Sequence, residues 1–374
     1  MSTTPHSVRT TDYHAAGEPF RIVDADLPPI PGDTVSERRA TALGPGGTAM
    51  DPRPGPLDDL RRLLVQEPRG HAGMYGGFVV PPDDDGAHFG VLFWHKDGYS
   101  TACGHGTMAL GAWAVDTGRV PAPHDGDAVV RIDVPSGRVT ATVHRAGGRT
   151  TGVTFRNIPT HISARKVPVT TSFGAVEVDL AHSGACYASV AARDLGLDTT
   201  KASLPALVRA GQEIRAALAG HPATRHAGDP RLSGVYGVIL YEDLPDTDDP
   251  DTDDPDAAAG PDIAGTATCP DIAGPASGPG TSAGPRQRNV TVFADGQIDR
   301  SPCGSGTSAR LTLLAADGRL APGDTLTHES VAGTVFTGRL LPGGITEVTG
   351  PAYRTGTHTF LLDPHDDLGT GFLL

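Results

Sequence analysis

Residues Thr101-Ala-Cys-Gly-His-Gly-Thr-Met-Ala-Leu return in altered form as Ser301-Pro-Cys-Gly-Ser-Gly-Thr-Ser-Ala-Arg. Cys103 matches Cys303, Gly104 matches Gly304, Gly106 matches Gly306 and Thr107 matches Thr307. The match runs on to Gly118-Arg119 and Gly318-Arg319 at a constant offset of 200 residues. The chain therefore holds two copies of one unit: a cysteine, a glycine-rich turn, a short helix and a Gly-Arg stop. Two such units facing each other place one thiol on each side of a single ligand. That geometry takes a proton from one face of a carbon and returns one to the other.

A chain of 374 residues can bury a substantial core and predicts two domains. The net charge of −14 argues against nucleic acid or an anionic membrane as partner. The start, Met1-Ser-Thr-Thr-Pro-His, has no apolar signal core, and no apolar run reaches membrane-span length. These features predict a cytoplasmic protein. None of the four cysteines forms a C-x-x-C pair, so free thiols are expected rather than zinc or disulfides. Cys186 reads as core and Cys269 as incidental.

Residues 1–12 read as a loose tail. Strands are expected at Arg21–Asp24, Met74–Val80 and Gly90–Trp94, and a helix over Asp58–Gln66. A second helix is expected from Thr107 to Asp116, ended by Gly118. Alternation from Ala128 to Phe155 predicts antiparallel strands. The second half repeats the order. It has strands near Val176 and Tyr187, a helix over Leu204–Leu218, strands at Gly234–Tyr241 and Asn289–Phe293, and then the Cys303 turn and helix. Between 244 and 288 the composition shifts. Residues 246–271 carry nine aspartates and no lysine or arginine, with short internal repeats. Such a segment buries too little apolar area to offset its ordering entropy and reads as a disordered insertion. A calcium loop is the alternative, but the EF-hand glycine and terminal glutamate are missing.

Each cysteine sits just before a predicted helix, whose unpaired N–H groups favour a thiolate below the free value of roughly 8.5. The two N-termini would also hold a carboxylate and stabilise the charge that develops as an α-proton leaves. No phosphate cup or lysine context for pyridoxal phosphate is visible, and no cofactor or metal is expected. One thiolate base and one thiol acid in a dry site would suffice. A Cys103–His105 hydrolase is the competing reading, but residues two apart on a turn rarely meet well and no third member is evident. His105 is expected to bind a substrate carboxylate or amine, and Asp299 a substrate ammonium.

Four segments carry a family resemblance: His14-Ala-Ala-Gly-Glu-Pro-Phe-Arg-Ile-Val, Glu67-Pro-Arg-Gly-His71, Cys103-Gly-His-Gly-Thr, and Val292 through Thr307. The chain resembles the proline racemase family from about Tyr13 to Leu374, outside the insertion. The resemblance implies an α/β (α+β) fold of two pseudo-symmetric, diaminopimelate-epimerase-like domains with a cofactor-free site in the cleft between them. The domains expected are 13–168 plus 352–374, carrying Cys103, and 169–351, carrying Cys303. Cys103 and Cys303 fall on the acid/base pair. Gly104, His105, Gly304 and Ser305 fall on the carboxylate-binding positions, and Asp299 on the amine-binding one. Aromatic positions at Tyr75 and Phe293 line the substrate ring; phenylalanine at both suits bare proline, and polar replacements suit hydroxyproline. Family dehydratases keep one thiol, so Cys303 argues against dehydration. Flanks such as Met74-Tyr-Gly and Gly371-Phe-Leu-Leu look closest to the dehydratase branch.

The expected function is a racemase or epimerase of proline or a hydroxyproline. The alternatives are a trans-3-hydroxy-L-proline dehydratase and a non-catalytic imino-acid-binding protein. The expected partner is a small molecule only, and a homodimer and a monomer both fit.

Overall fold

The computed structural model describes residues 7–49, 51–245 and 284–374. The expectations for residues 1–6, for most of the aspartate-rich insertion and for Cys269 lie outside these. The first half holds β1 (Ser7–Ala15), β2 (Glu18–Val23), α1 (Val35–Leu43), α2 (Pro56–Val65), β3 (Tyr75–Val80), β4 (Phe89–His95) and β5 (Gly98–Tyr99). It continues through α3 (Gly104–Asp116), β6 (Gly126–Val134), β7 (Gly137–Ala146) and β8 (Arg149–Arg156). Then follow β9 (His161–Thr171), β10 (Gly174–His182), β11 (Cys186–Ala191), α4 (Leu204–Ala217), β12 (Val235–Asp243), β13 (Arg286–Phe293) and β14 (Gln297–Ile298). The chain ends with α5 (Gly304–Ala316), β15 (Leu326–Ser330), β16 (Val335–Leu340), β17 (Thr346–Gly350) and β18 (Ala352–Leu361).

Strand pairing reveals the duplication. In one half the order is β18–β1–β2–β3–β4–β6–β7–β8. In the other it is β9–β10–β11–β12–β13–β15–β16–β17. The sense of each contact matches position by position: β2–β3 and β11–β12 are parallel, as are β4–β6 and β13–β15. All the other neighbours in both orders run antiparallel. Short hairpin strands β5 and β14 sit on β4 and β13. The halves join where β8 and β17 pair antiparallel, with Thr154 opposite Thr349 and their hydroxyls 2.8 Å apart.

Each parallel contact needs a crossover, and helices supply them. α3 connects β4 and β5 to β6, and α5 connects β13 and β14 to β15. Each half-sheet wraps its own crossover helix: α3 packs on β1, β2, β6, β7, β8 and β18, and α5 on β9, β10, β11, β16 and β17. This explains why α3 shows no polar face, with all of Gly104–Val115 buried. Helix α2 is instead an outer helix, laying Leu60, Leu63 and Leu64 against the layer of Phe78, Leu92 and Trp94.

Several expectations change. The glycines after each cysteine are not a turn before the helix but its first turn, so both helices begin at residues 104 and 304. The stops are as expected: Gly118 and Gly318 adopt φ of 70° and 69°, in the left-handed region that glycine enters freely. Ser7–Asp12 is not a loose tail but the start of β1, paired with β18 at the far end of the chain. Arg286–Arg288, expected within the insertion, belongs to β13, while Leu244 donates its N–H to the carbonyl of Arg286. Helix α1 was not among the expected elements; it buries Val35, Ala42 and Leu43 on one face. The boundary expected between residues 168 and 169 falls inside β9. Cys186 is core, packed with Leu180, Val190 and Val238, and burial pushes its thiol up to about 12. Among the described residues no helix is long and apolar enough to cross a membrane.

Two histidines are built into this framework as neutral rings. His328 is fully buried between Asn289 (2.9 Å) and Thr307 (2.8 Å), and burial lowers its pKa to about 3. His182 packs against His226 and His161, with ring centroids 4.8 and 5.3 Å away. Burial and these two neighbours lower its pKa to about 4. Both rings take a proton near 6.5 when unfolded but resist it when folded, so the unfolded chain binds more protons across this window. Stability must therefore fall as pH drops from about 6.5 towards 4. Thermal melts should show a declining melting temperature over that range, and His182→Asn should reduce the proton uptake on unfolding by about one.

Candidate active site

Cys103 and Cys303 occupy the N-cap positions of α3 and α5. Each sulfur accepts the backbone N–H three residues on, from Gly106 at 3.2 Å and Gly306 at 3.3 Å. Glycine is required there, because an added Cβ would lie 2.8 Å from Cys103 Sγ or 2.9 Å from Cys303 Sγ. The first helical residues pack backbone to backbone across the pseudo-twofold axis. A Cβ on Gly104 would stand 2.6 Å from the Gly304 Cα, and one on Gly304 would stand 2.8 Å from the Gly104 Cα. The glycine spacing read from sequence thus serves two purposes, thiol approach and helix-to-helix contact.

The two thiols differ in backbone and in partners. Cys103 is extended, with φ −156° and ψ 107°, whereas Cys303 has φ 64° and ψ 104°. A non-glycine residue there is strained by roughly 1–3 kcal/mol and needs bracing. The brace is Asp299. Its Oδ1 accepts the Ser301 N–H at 2.9 Å and hydroxyl at 2.7 Å, and the Ser301 Oγ accepts the Cys303 N–H at 3.1 Å. Beside Cys103 lies His105, with ring nitrogens 3.4 and 3.5 Å from the sulfur and Nδ1 3.6 Å from Asp299 Oδ2. Beside Cys303 lies the Tyr187 hydroxyl at 3.9 Å. Cys103 and His105 therefore do meet, and Asp299, 196 positions from Cys103 in sequence, lies beside them.

All nine residues singled out from sequence lie together. Tyr75, Cys103, Gly104, His105, Phe293, Asp299, Cys303 and Ser305 line one narrow chamber, and Gly304 touches Gly104 at its base. Tyr187, Tyr236, Thr291 and Ala102 complete the wall. Sequence reasoning missed the two tyrosines because an aromatic on a predicted strand reads as core. It also missed Glu18, which is fully buried. Glu18 Oε2 accepts the Arg300 N–H at 2.7 Å, tying β2 to the loop that carries Asp299, and Oε1 has no partner among the described residues. Burial, and then the Asp299 charge, push the Glu18 carboxyl well above the usual range.

The electrostatics correct one expectation. Both thiols sit well above their ordinary pKa, not below it. For Cys103 burial raises it most, the Gly106 N–H lowers it, and Asp299, Cys303 and Glu18 raise it. For Cys303 burial again dominates, Asp299 adds to it, and the Gly306 N–H opposes. One helix-terminal N–H does not offset the loss of water around a sulfur anion in a dry chamber. The direction of both shifts favours the neutral thiol over the thiolate.

A duplicated half-sheet with a central helix, and two cysteine-capped helix N-termini meeting over one chamber, define the pseudo-symmetric epimerase class of fold. The chain belongs to the proline racemase family, whose profile matches residues 10–258 and 260–373. It is 36% identical to the trans-3-hydroxy-L-proline dehydratase of Bacillus cereus, over 98% of this chain and 97% of that protein. It is 37% identical to the 3-hydroxyproline 2-epimerase of Burkholderia multivorans, over 98% of each. The solved hydroxyproline epimerase of Agrobacterium vitis, with bound trans-4-hydroxy-L-proline, superposes with a TM-score of 0.81 at 26% identity, covering 100% of this chain and 97% of that one. Members of the family are enzymes, and the chain shares the fold expected from the sequence.

Two outcomes follow from this geometry. Gly104→Ala forces a methyl into the opposing helix backbone. It should destabilise the protein by about 1–3 kcal/mol and lower turnover by about 100-fold through displaced thiols. Calorimetry and steady-state kinetics check both. Iodoacetamide should label Cys103 and Cys303 more slowly than free cysteine at pH 7.5, with a rate still climbing above pH 9; peptide mapping by mass spectrometry resolves the two sites.

Proposed function

We propose that the chain epimerises C2 of trans-3-hydroxy-L-proline through a two-thiol mechanism. The observation that carries this reading is the pair of cysteine-capped helix N-termini opening on one chamber. The 3-hydroxyproline substrate is supported by relatives at 36–37% identity named for it, and by the Tyr75 hydroxyl in the chamber wall.

The substrate carboxylate takes the N–H groups of the first turns of α3 and α5, near Gly104, His105, Gly304 and Ser305. These groups have no partner within their own helices. The ammonium takes Asp299. That pairing also resets the thiols, because the Asp299 charge is among the causes that raise both. With that charge matched, one cysteine gives up its proton and acts as base. The thiolate takes the α-proton; the electron pair passes into the carboxylate, and the helix N-termini stabilise the enediolate. The other thiol then delivers its proton to the opposite face, yielding the C2 epimer. His105 beside Cys103 is the first group able to accept and return a thiol proton, and the Tyr187 hydroxyl beside Cys303 can hydrogen-bond that sulfur as a thiolate.

A second reading, dehydration, is favoured by the names of several relatives. It shares the first step. The C3–O bond then breaks, the electron pair leaves with the oxygen as hydroxide, a proton completes water, and the C2=C3 enamine tautomerises to the ketimine. Elimination needs one base; epimerisation needs both thiols. Cys303 is therefore what supports the first reading over the second.

Incubation of trans-3-hydroxy-L-proline in heavy water, followed by proton NMR, tests this. The expected product is the α-deuterated C2 epimer. Ketimine as the sole product would establish the dehydratase instead, and an unexchanged α-proton would exclude both. Cys103→Ser and Cys303→Ser should each hold epimerisation below a few per cent of the parent rate. The variant that keeps the thiol on the α-proton face should retain elimination.

A further inference from the structure

The chamber has two chemically different ends. One, described above, is built for a carboxylate and an ammonium. The other is a wall of aromatic rings that carries hydroxyl groups. Tyr75, from β3 in the first half, hydrogen-bonds the Ser100 hydroxyl and, at 2.9 Å, the hydroxyl of Tyr236, from β12 in the second half. Tyr236 is stacked on Phe293 with centroids 5.7 Å apart and planes at 20°, so its ring is fixed. Tyr187 meets it edge-on at 5.7 Å.

The hydrogen-bond count in this chain is uneven. Three hydroxyls supply three protons, and the two bonds between them use two. Of the three residues, Tyr75 and Tyr236 line the chamber and Ser100 does not. Either hydroxyl of each pair can donate; with an acceptor in the chamber, the arrangement in which Ser100 donates to Tyr75 and Tyr75 to Tyr236 places the unspent proton on Tyr236, at the chamber wall. Behind the same wall, the His95 ring packs against Tyr75, Tyr236 and Phe293, and its buried Nε2 has no partner among the described residues. An apolar wall for a bare proline ring would carry no such unspent donor, because each one left unpaired is costly.

We infer that Tyr236, oriented through Tyr75 by Ser100, is the group that receives the substrate's ring hydroxyl and sets the preference for hydroxyproline over proline. The inference rests on the reading that the substrate is a hydroxyproline. It adds to that reading a selectivity device assembled from both halves. Tyr75 and Ser100 come from one half and Tyr236 from the other, so the subsite exists only when the halves are closed on each other. A hydroxyl on the ring fills the open hydrogen bond. Bare proline leaves this partly buried phenol facing a methylene across a narrow chamber, and a site of this kind discriminates through the unpaired group rather than by size.

The experiment measures α-proton exchange in heavy water for trans-3-hydroxy-L-proline and for L-proline, and takes the ratio of the two kcat/KM values. In Tyr236→Phe the ring and its stacking remain and only the hydroxyl is lost. The ratio should fall by roughly 10- to 100-fold. In Ser100→Ala the phenol chain loses its fixed polarity, and the ratio should fall in the same direction. A ratio within about twofold of the parent in both variants would overturn the inference, even with total activity reduced. Failure of the parent protein to exchange either imino acid would instead overturn the functional reading. The two failures are therefore read from different samples.

Discussion

The structure depends on one contact, the packing of Gly104 on Gly304 across the pseudo-twofold axis. Two α-helices ordinarily sit 8–10 Å apart because side chains hold them there. Here the helix ends meet backbone to backbone, and a methyl on either residue would lie under 3 Å from the other's Cα. This contact brings two helix N-termini to one place and fixes where the two cap residues stand. Since each cap is a cysteine, the same contact sets the position of both thiols. Gly106 and Gly306 then let each sulfur reach its own helix amide.

The duplicated sheets hold that contact in place. Each half-sheet wraps around its central helix, and the halves join along β8 and β17. Cross-links between halves gather near the site. Glu18 of β2 accepts the Arg300 N–H at 2.7 Å. Thr101 from the first half donates to the Gly184 carbonyl of the second at 2.8 Å. The chamber is thus a seam lined from both halves and held by hydrogen bonds between them.

The two halves repeat in backbone but not in chemistry. Cys103 has an imidazole beside it and an extended backbone; Cys303 has a phenol beside it and a strained φ of 64°. A symmetric scaffold can pass a proton in either direction, while unequal partners let each thiol be tuned for its own role. Burial dominates the electrostatics of both thiols, and the Asp299 charge raises them further. One carboxylate thus acts on both sulfurs at once.

Much was legible in the sequence, for a physical reason. A helix N-cap, its glycines and its Gly-Arg stop are local features, so two copies at a fixed offset could be read directly, and with them the duplicated fold and both thiols. The aspartate near the second cysteine was legible for the same reason. What the sequence did not determine depends on partners far apart in the chain. The pairing of Ser7–Asp12 with β18 joins the two ends of the chain, and no local pattern marks it. Tyr187 and Tyr236 alternate along strands as core residues do, and only the meeting of the halves turns their hydroxyls towards a chamber. The thiol pKa went the other way from expectation because helix dipoles are local while desolvation is collective. The sequence alone determined which residues to bring forward as candidates; the tertiary structure gathered them around one chamber and decided how dry their surroundings are.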